Sequence, residues 1–163
     1  MRAVVLSDTH IPDFARSLPK ALIPTLRRAD LILHAGDVTS AGILDQLADY
    51  APVHVALGNR DRDEVASWGA RQEVSLELDG IRVAMVHDAG PRLGREARLG
   101  RRFPEARLVV FGHSHIPIDA QAGGMRLFNP GSPTWKRMQP NPTYGVVTVS
   151  GGRLRTRIVE LVD

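Results

Sequence analysis

The sequence predicts an α/β fold: two mixed β-sheets packed face to face, with helices outside. Three observations point there. Short apolar runs rich in β-branched residues each stop abruptly at a polar cluster, the mark of buried strands. Helical patterns separate the early runs, and strand–helix–strand alternation implies parallel pairing with helices on the faces. Asp-Gly or Gly-Gly joins the later runs, so these read as antiparallel hairpins.

The elements follow in order. Ala3-Val4-Val5-Leu6 ends at Ser7-Asp8-Thr9-His10. A helix starts at Ser17 or Leu18, with Pro19 in its first turn, and runs to about Ala29; Pro24 should bend or shorten it. Leu31-Ile32-Leu33 ends at His34-Ala35-Gly36-Asp37. Residues 41–50 carry Ile43, Leu44, Leu47 and Ala48 at helical spacing and stop before Pro52. Val53-His54-Val55-Ala56-Leu57 ends at Gly58-Asn59-Arg60-Asp61. Asp79-Gly80 joins a strand over 74–78 to one over 81–86, which ends at His87-Asp88. Residues 92–102 form a third helix, and Leu108-Val109-Val110-Phe111 ends at Gly112-His113-Ser114-His115. Gly123-Gly124 joins 118–121 to 126–128, and Gly151-Gly152 joins 146–149 to 154–161. In the last strand Arg153, Arg155 and Arg157 alternate with Leu154, Thr156 and Ile158, as in a half-buried edge strand guarded by charge.

The chain has 163 residues, which predicts one domain over 1–163. It contains no cysteine, which excludes disulfides, zinc fingers, iron–sulfur clusters and a thiol nucleophile. No apolar stretch approaches the roughly 20 residues that span a membrane. The N-terminus reaches Asp8 too soon for a signal peptide, so a cytoplasmic location is expected. Net charge is +3, carried by 19 Arg and two Lys against 18 acidic residues. That suits an anionic substrate but does not demand nucleic acid.

The polar clusters all sit at the carboxyl ends of their runs, where α/β sheets bind ligands. If the runs are neighbouring strands, Asp8, His10, Asp37, Asn59, His87, His113 and His115 converge on one cavity. Carboxylate, imidazole and carboxamide are ligand types for manganese, iron, zinc or nickel. Seven ligands are too many for one open site and suit two ions with one bridging carboxylate. Asp8 and His10 are i and i+2, as are His113 and His115, so each pair on a strand points the same way. Two ions share a water, lower its pKa and polarise a phosphoryl group. A metal-bridging hydroxide as nucleophile makes the cluster a phosphoesterase site, whose activity should fail at acid pH because its imidazoles must be neutral.

Asp8-x-His10, Gly36-Asp37, Gly58-Asn59-x-Asp61, His87 and Gly112-His113-Ser114-His115 resemble the motifs of calcineurin-like metallophosphoesterases. The small size and Asn129-Pro130-Gly131-Ser132 resemble the single-domain phosphodiesterase branch, which also contains the retromer scaffold subunit. The resemblance covers nearly the whole chain. It implies a four-layer αββα sandwich and a dinuclear centre, manganese first among its metals. It assigns Asp8, His10, Asp37 and His115 to one ion and Asp37, Asn59, His87 and His113 to the other. It also implies catalytic roles near the Asn. Many members carry a leaving-group His after that Asn, where this chain has Arg60, and Asp61 would orient that His. Arg is always charged and cannot serve as an ordinary general acid, although it can clamp phosphate oxygens. Good leaving groups should therefore be favoured over alkyl esters. Many members also have Gly-His after the His at position 87, where Asp88-Ala89 stands here. The expected substrate is a small phosphodiester. A phosphomonoester, a nucleic acid, or a non-catalytic scaffolding role are the alternatives, and a homo-oligomer is plausible through edge strands.

Other residues have blander readings. Asp61 divides evenly between orienting a catalytic group and a structural hydrogen-bond role. His34 reads as a core or supporting residue, with a direct chemical role as the alternative, and His54 as strand packing. Arg92, Arg95, Arg98, Arg101, Arg102 and Arg107 read as a solvated helix face, with a phosphate-attracting rim as the alternative. Asn129–Ser132 has turn chemistry and supports the neighbouring strand. Trp135, Lys136 and Arg137 form either a substrate lip or an interface patch.

Overall fold

Alternation along the buried strands sorts side chains into three apolar cores. Strand β1 (Arg2–Leu6) sends Val4 and Leu6 to one side and Ala3 and Val5 to the other. Strands β5 (Ile81–Val86) and β6 (Leu108–Val110) send Val83, Met85, Leu108 and Val110 to the core that also holds Ala3 and Val5. Their alternate residues Ala84, Val86 and Val109 enter a third core. Period-two patterning thus puts apolar residues on both faces of both sheets, which requires four layers. The computed structural model describes residues 1–162; Asp163, the last residue of the predicted domain, lies outside the described residues.

The first sheet runs β10-β9-β1-β2-β3 and the second β4-β5-β6-β8-β7. Strands β2 (Leu31–His34) and β3 (Val53–Val55) continue β1 in parallel, while β9 (Thr143–Ser150) and β10 (Arg153–Glu160) add antiparallel strands. In the second sheet β5, β6 and β8 (Met125–Asn129) are parallel; β4 (Glu73–Leu78) and β7 (Ile118–Ala122) are antiparallel edges. Both sheets are mixed, as expected. The five polar clusters end strands of two facing sheets rather than neighbours in one. The three expected hairpins close at Asp79-Gly80, Gly123-Gly124 and Gly151-Gly152. The β10 strand is an edge with Arg153, Arg155 and Arg157 exposed.

The helices differ more. The expected helix to Ala29 is a 3-10 turn, Lys20–Leu22, followed by one α-turn, α1 (Ile23–Leu26). Pro24 has no N–H to bond back to the preceding turn, so one continuous helix cannot form. Helix α2 (Ala41–Ala48) is capped by the Ser40 hydroxyl, which accepts from the Gly42 N–H. Helix α4 (Arg95–Arg102) begins later than expected because Gly94 takes a left-handed conformation, φ 70°. Helix α3 (Asp63–Trp68) was not expected; its signals are Asp63 and Glu64 in the first turn and Gly69 at its end. The α1, α2 and α3 segments cover the first sheet through Leu26, Leu44, Leu47 and Val65, and α4 covers the second through Leu99. No helix among the described residues is long and apolar enough to cross a membrane.

Candidate metal centre

Every predicted site residue lies in the loops leaving β1, β2, β3, β5 and β6. The backbone turns sharply there. Asp8, His10, Asp37, His113 and His115 all have positive φ, between 45° and 68°. Residues 8, 10, 113 and 115 therefore lie outside the strands, and the i, i+2 rule for extended chain does not place them. Left-handed non-glycine residues are costly singly and cluster where function over-determines them.

The turns collect nitrogen and oxygen donors into two adjoining groups. In one, His115 Nε2 stands 3.4 Å from Asp8 Oδ1 and 3.3 Å from His10 Nε2. In the other, Asn59 Oδ1 is 3.0 Å from both His87 Nε2 and His113 Nδ1. Asp37 Oδ2 lies between, 3.6 Å from His10 Nε2 and 3.4 Å from His87 Nε2. The spacing argument paired His113 with His115, but the structure puts them in different groups. All seven predicted donors nonetheless meet in one centre.

The donor chemistry fits metal ions. Asp8 Oδ1 is buried with no hydrogen-bond partner, which is costly unless a cation answers it. The ring nitrogens are also oriented for coordination. His87 Nδ1 donates to the Ala35 carbonyl at 2.8 Å and His115 Nδ1 to the Trp135 carbonyl at 2.6 Å. A carbonyl only accepts, so each Nδ1 carries a proton and each Nε2 faces the group; that of His115 keeps its lone pair, and that of His87 offers one once its second proton leaves. Asp8, His10 and His115 can hold one ion, and Asp8, Asp37 and His87 also form a candidate set.

Charge within the centre is uneven. Burial pushes the Asp8 carboxyl up to about 7. Burial brings His10 and His115 each down to about 4, so both are neutral at pH 7. Burial works against the Asp37 charge, but the hydrogen bond and charge of His87 outweigh it and hold Asp37 down at about 2. Burial likewise opposes the charged form of His87, yet Asp37 and Asp8 lift it to about 9.

Small residues and supporting polar groups let the loops approach. A Cβ on Gly58 would lie 2.2 Å from the Asp37 backbone nitrogen, and one on Gly112 would lie 1.8 Å from Ser7 Oγ. Asp61 spends both oxygens on amides: Oδ2 accepts from Asp37 and Gly58, and Oδ1 from Thr39. Asp61 thus clamps the loop after β2 to the loop after β3. Asp61→Ala leaves three amides without a partner and should lower stability by about 2–4 kcal/mol. Urea melts of the metal-free protein check this, and an unchanged midpoint would refute it. His34 is fully buried and bridges the Gly36 N–H and the Thr9 hydroxyl; burial lowers it to about 3, so it stays neutral. His54 is exposed, not packed. In the Asn129–Ser132 turn, Asn129 Nδ2 donates to Gly112 O and Ser132 Oγ to Asp8 O.

The basic run is only partly a solvated face. Arg95 donates to Gly90 O and Arg98 to Ala89 O and Pro91 O, so two guanidiniums fasten the loop after His87. Their i, i+3 spacing on α4 was the available signal. The first donor group carries an aromatic wall. Phe14 and Trp135 stack with centroids 3.8 Å apart. The Arg60 guanidinium lies over Phe14 at 5.2 Å and that of Arg137 over Trp135 at 4.7 Å. Meanwhile the Arg60 N–H donates to Asp37 Oδ1 at 2.8 Å. Arg137 and Trp135 belong to the segment read as a substrate lip or an interface patch; Phe14 completes this wall and was not among the predicted site residues.

Comparison with known proteins identifies the family. The family model of the calcineurin-like phosphoesterase superfamily domain matches residues 1–152. A "probable metallophosphoesterase" of Methanothermobacter thermautotrophicus is 37% identical, covering 95% of this chain and 90% of that protein. The fold is similar to that of Vps29 from Entamoeba histolytica complexed with zinc, at TM-score 0.79 and 20% identity over 98% of this chain and 99% of that one. It is also similar to a novel archaeal phosphodiesterase, at TM-score 0.74 and 18% identity over 98% and 100%. The strand-end motifs, the two donor groups and these matches lead to one assignment: the chain belongs to the calcineurin-like phosphoesterase superfamily.

Proposed function

We propose that residues 1–163 form a single-domain, metal-dependent phosphodiesterase acting on small phosphoesters in the cytoplasm. The observation that carries this reading is Asp37 Oδ2, a charged carboxylate oxygen between two groups of donors. Asp8, His10, Asp37 and His115 hold one divalent ion, and Asp37, Asn59, His87 and His113 the other. When bound, the ion pair supplies Lewis acidity toward phosphoryl oxygens and a nucleophilic water at neutral pH. Manganese is the first candidate, ahead of iron, zinc and nickel.

The chain's own residues do the rest. The Ala35 and Trp135 carbonyls hold the Nδ1 protons of His87 and His115, which fixes their rings. Asn59, with Oδ1 turned to the imidazoles, keeps its amide protons for a phosphoryl oxygen. Arg60 binds phosphate charge through its guanidinium. It cannot give up a proton, so the leaving oxygen departs as an anion. Aryl esters should therefore react far faster than alkyl esters. Arg60→His should narrow that gap by about tenfold or more through general acid catalysis. An unchanged ratio of alkyl to aryl rates would refute the argument.

The reading is tested with metal-stripped protein on bis(4-nitrophenyl) phosphate and on 4-nitrophenyl phosphate, with and without Mn²⁺. Metal-dependent turnover favouring the diester supports it. Preference for the monoester makes the protein a phosphatase. No turnover despite two bound ions puts a scaffolding role first.

A further inference from the structure

We propose that Phe14 and Trp135 form a substrate subsite beside the metal centre for a flat aromatic group, carried on the ester oxygen that is not displaced. The proposal rests on the phosphodiesterase reading above and names the class of diester that the site prefers.

The two rings are built into the centre. Phe14 sits four residues after His10, and its N–H donates to His10 O at 2.8 Å. Trp135 is pinned at both ends of its backbone: its N–H donates to Ser132 Oγ and its carbonyl accepts from His115 Nδ1. Both rings stand edge-on to site imidazoles. His10 lies 5.5 Å from Phe14 at 87° and 5.3 Å from Trp135 at 79°; His115 lies 5.1 Å from Trp135 at 88°. A group carried on the ester oxygen that faces His10 and His115 is therefore within reach of the stacked pair.

The wall is open to receive it. Phe14 is 45% exposed, so part of its ring surface is accessible beside the centre. What covers it now is weak. Arg60 and Arg137 are exposed, and their guanidiniums lie over the outer rings on long flexible stems. Neither forms an ion pair with an acidic group among the described residues. An entering ring takes the place of a guanidinium on a prepared ring face. The displaced guanidinium is then free to meet the phosphate charge. An aliphatic chain gains neither the stacking nor the quadrupole interaction.

Three diesters with one leaving group test this: phenyl, ethyl and thymidine-5′ esters of 4-nitrophenyl phosphate. The readout is each ratio of kcat/KM to that of the ethyl ester. In Phe14→Leu and Trp135→Leu the phenyl ratio should fall about tenfold, mostly through KM, while Trp135→Phe keeps it. A parallel fall for thymidine identifies a nucleobase as the aromatic group; a fall for phenyl alone identifies a simple aryl ester. On the unaltered protein, phenyl phosphate should inhibit about tenfold more tightly than ethyl phosphate, which removes dependence on how the variants fold. Equal inhibition, or ratios that survive both leucine variants, overturns the subsite and leaves the phosphodiesterase reading standing. Absence of turnover with all three esters in the metal-loaded protein overturns that reading and the subsite with it.

Discussion

Asp37→Asn should abolish metal-dependent hydrolysis, with kcat/KM falling on the order of 10³-fold or more. The argument is about charge and position together. Only two carboxylates, Asp8 and Asp37, are among the seven donors, and only Asp37 lies within 3.6 Å of imidazoles from both groups. Asp37, held at about 2, carries its charge at any working pH. A carboxamide removes half of the negative charge offered to two dications. It preserves shape, because an Asn oxygen can still accept from the Arg60 N–H as Asp37 Oδ1 does. The fold should therefore survive while metal binding fails. Metal content after dialysis should drop from two ions per chain to one or none. Retention of both ions with a tenth or more of the activity would sink the bridging role. Asp8→Asn provides a contrast. Its carboxyl is raised to about 7 by burial, so above that pH its charge costs the metal-free protein stability. The substitution should remove one ion and yet raise the metal-free melting temperature at pH 8.

Much of this centre was legible because its chemistry sits where strands stop. The runs ending at Asp8, Asp37, Asn59, His87 and His113 are short and abrupt, and their donors do converge. The hairpins were legible because Asp79-Gly80 and the two Gly-Gly pairs are turn chemistry that few other contexts use. Other features had no local signature. Asp8, His10, Asp37, His113 and His115 take left-handed backbone, which Asp and His tolerate better than most residues but which no local motif here announces. Those turns separate His113 from His115, two residues that a regular strand would have turned together. Phe14 is a lone aromatic in a polar loop, and its partner Trp135 lies over a hundred residues away. Helix α3 has six residues, too few for helical periodicity to stand out. Arg95 and Arg98 looked like solvated charge because their partners are backbone carbonyls, which carry no sequence identity.

Metal binding should displace about two protons from Asp8 and His87 between pH 4 and 7, about one from this pair between pH 7 and 9, and none from it above. The signs follow from the four environments. In the metal-free protein Asp8 keeps a proton up to about 7 and His87 up to about 9. An ion must displace both protons at pH 6, but only that of His87 at pH 8. His10 and His115, lowered to about 4, are already neutral at both pH values and release nothing. The Asp8 and His87 protons should therefore make apparent affinity rise about a hundredfold per pH unit between 4 and 7 and about tenfold per unit from 7 to 9. The same shifts act on metal-free stability with opposite signs. The depressed His10 and His115 stabilise fully above their unfolded value of 6.5, and that stability is lost as pH falls through about 4. The raised His87 stabilises fully below 6.5, and that stability is lost as pH rises through about 9. Titration calorimetry with Mn²⁺ in buffers of different ionisation enthalpy counts the protons directly. An affinity independent of pH between 6 and 9 would mean that Asp8 and His87 do not bind the ions.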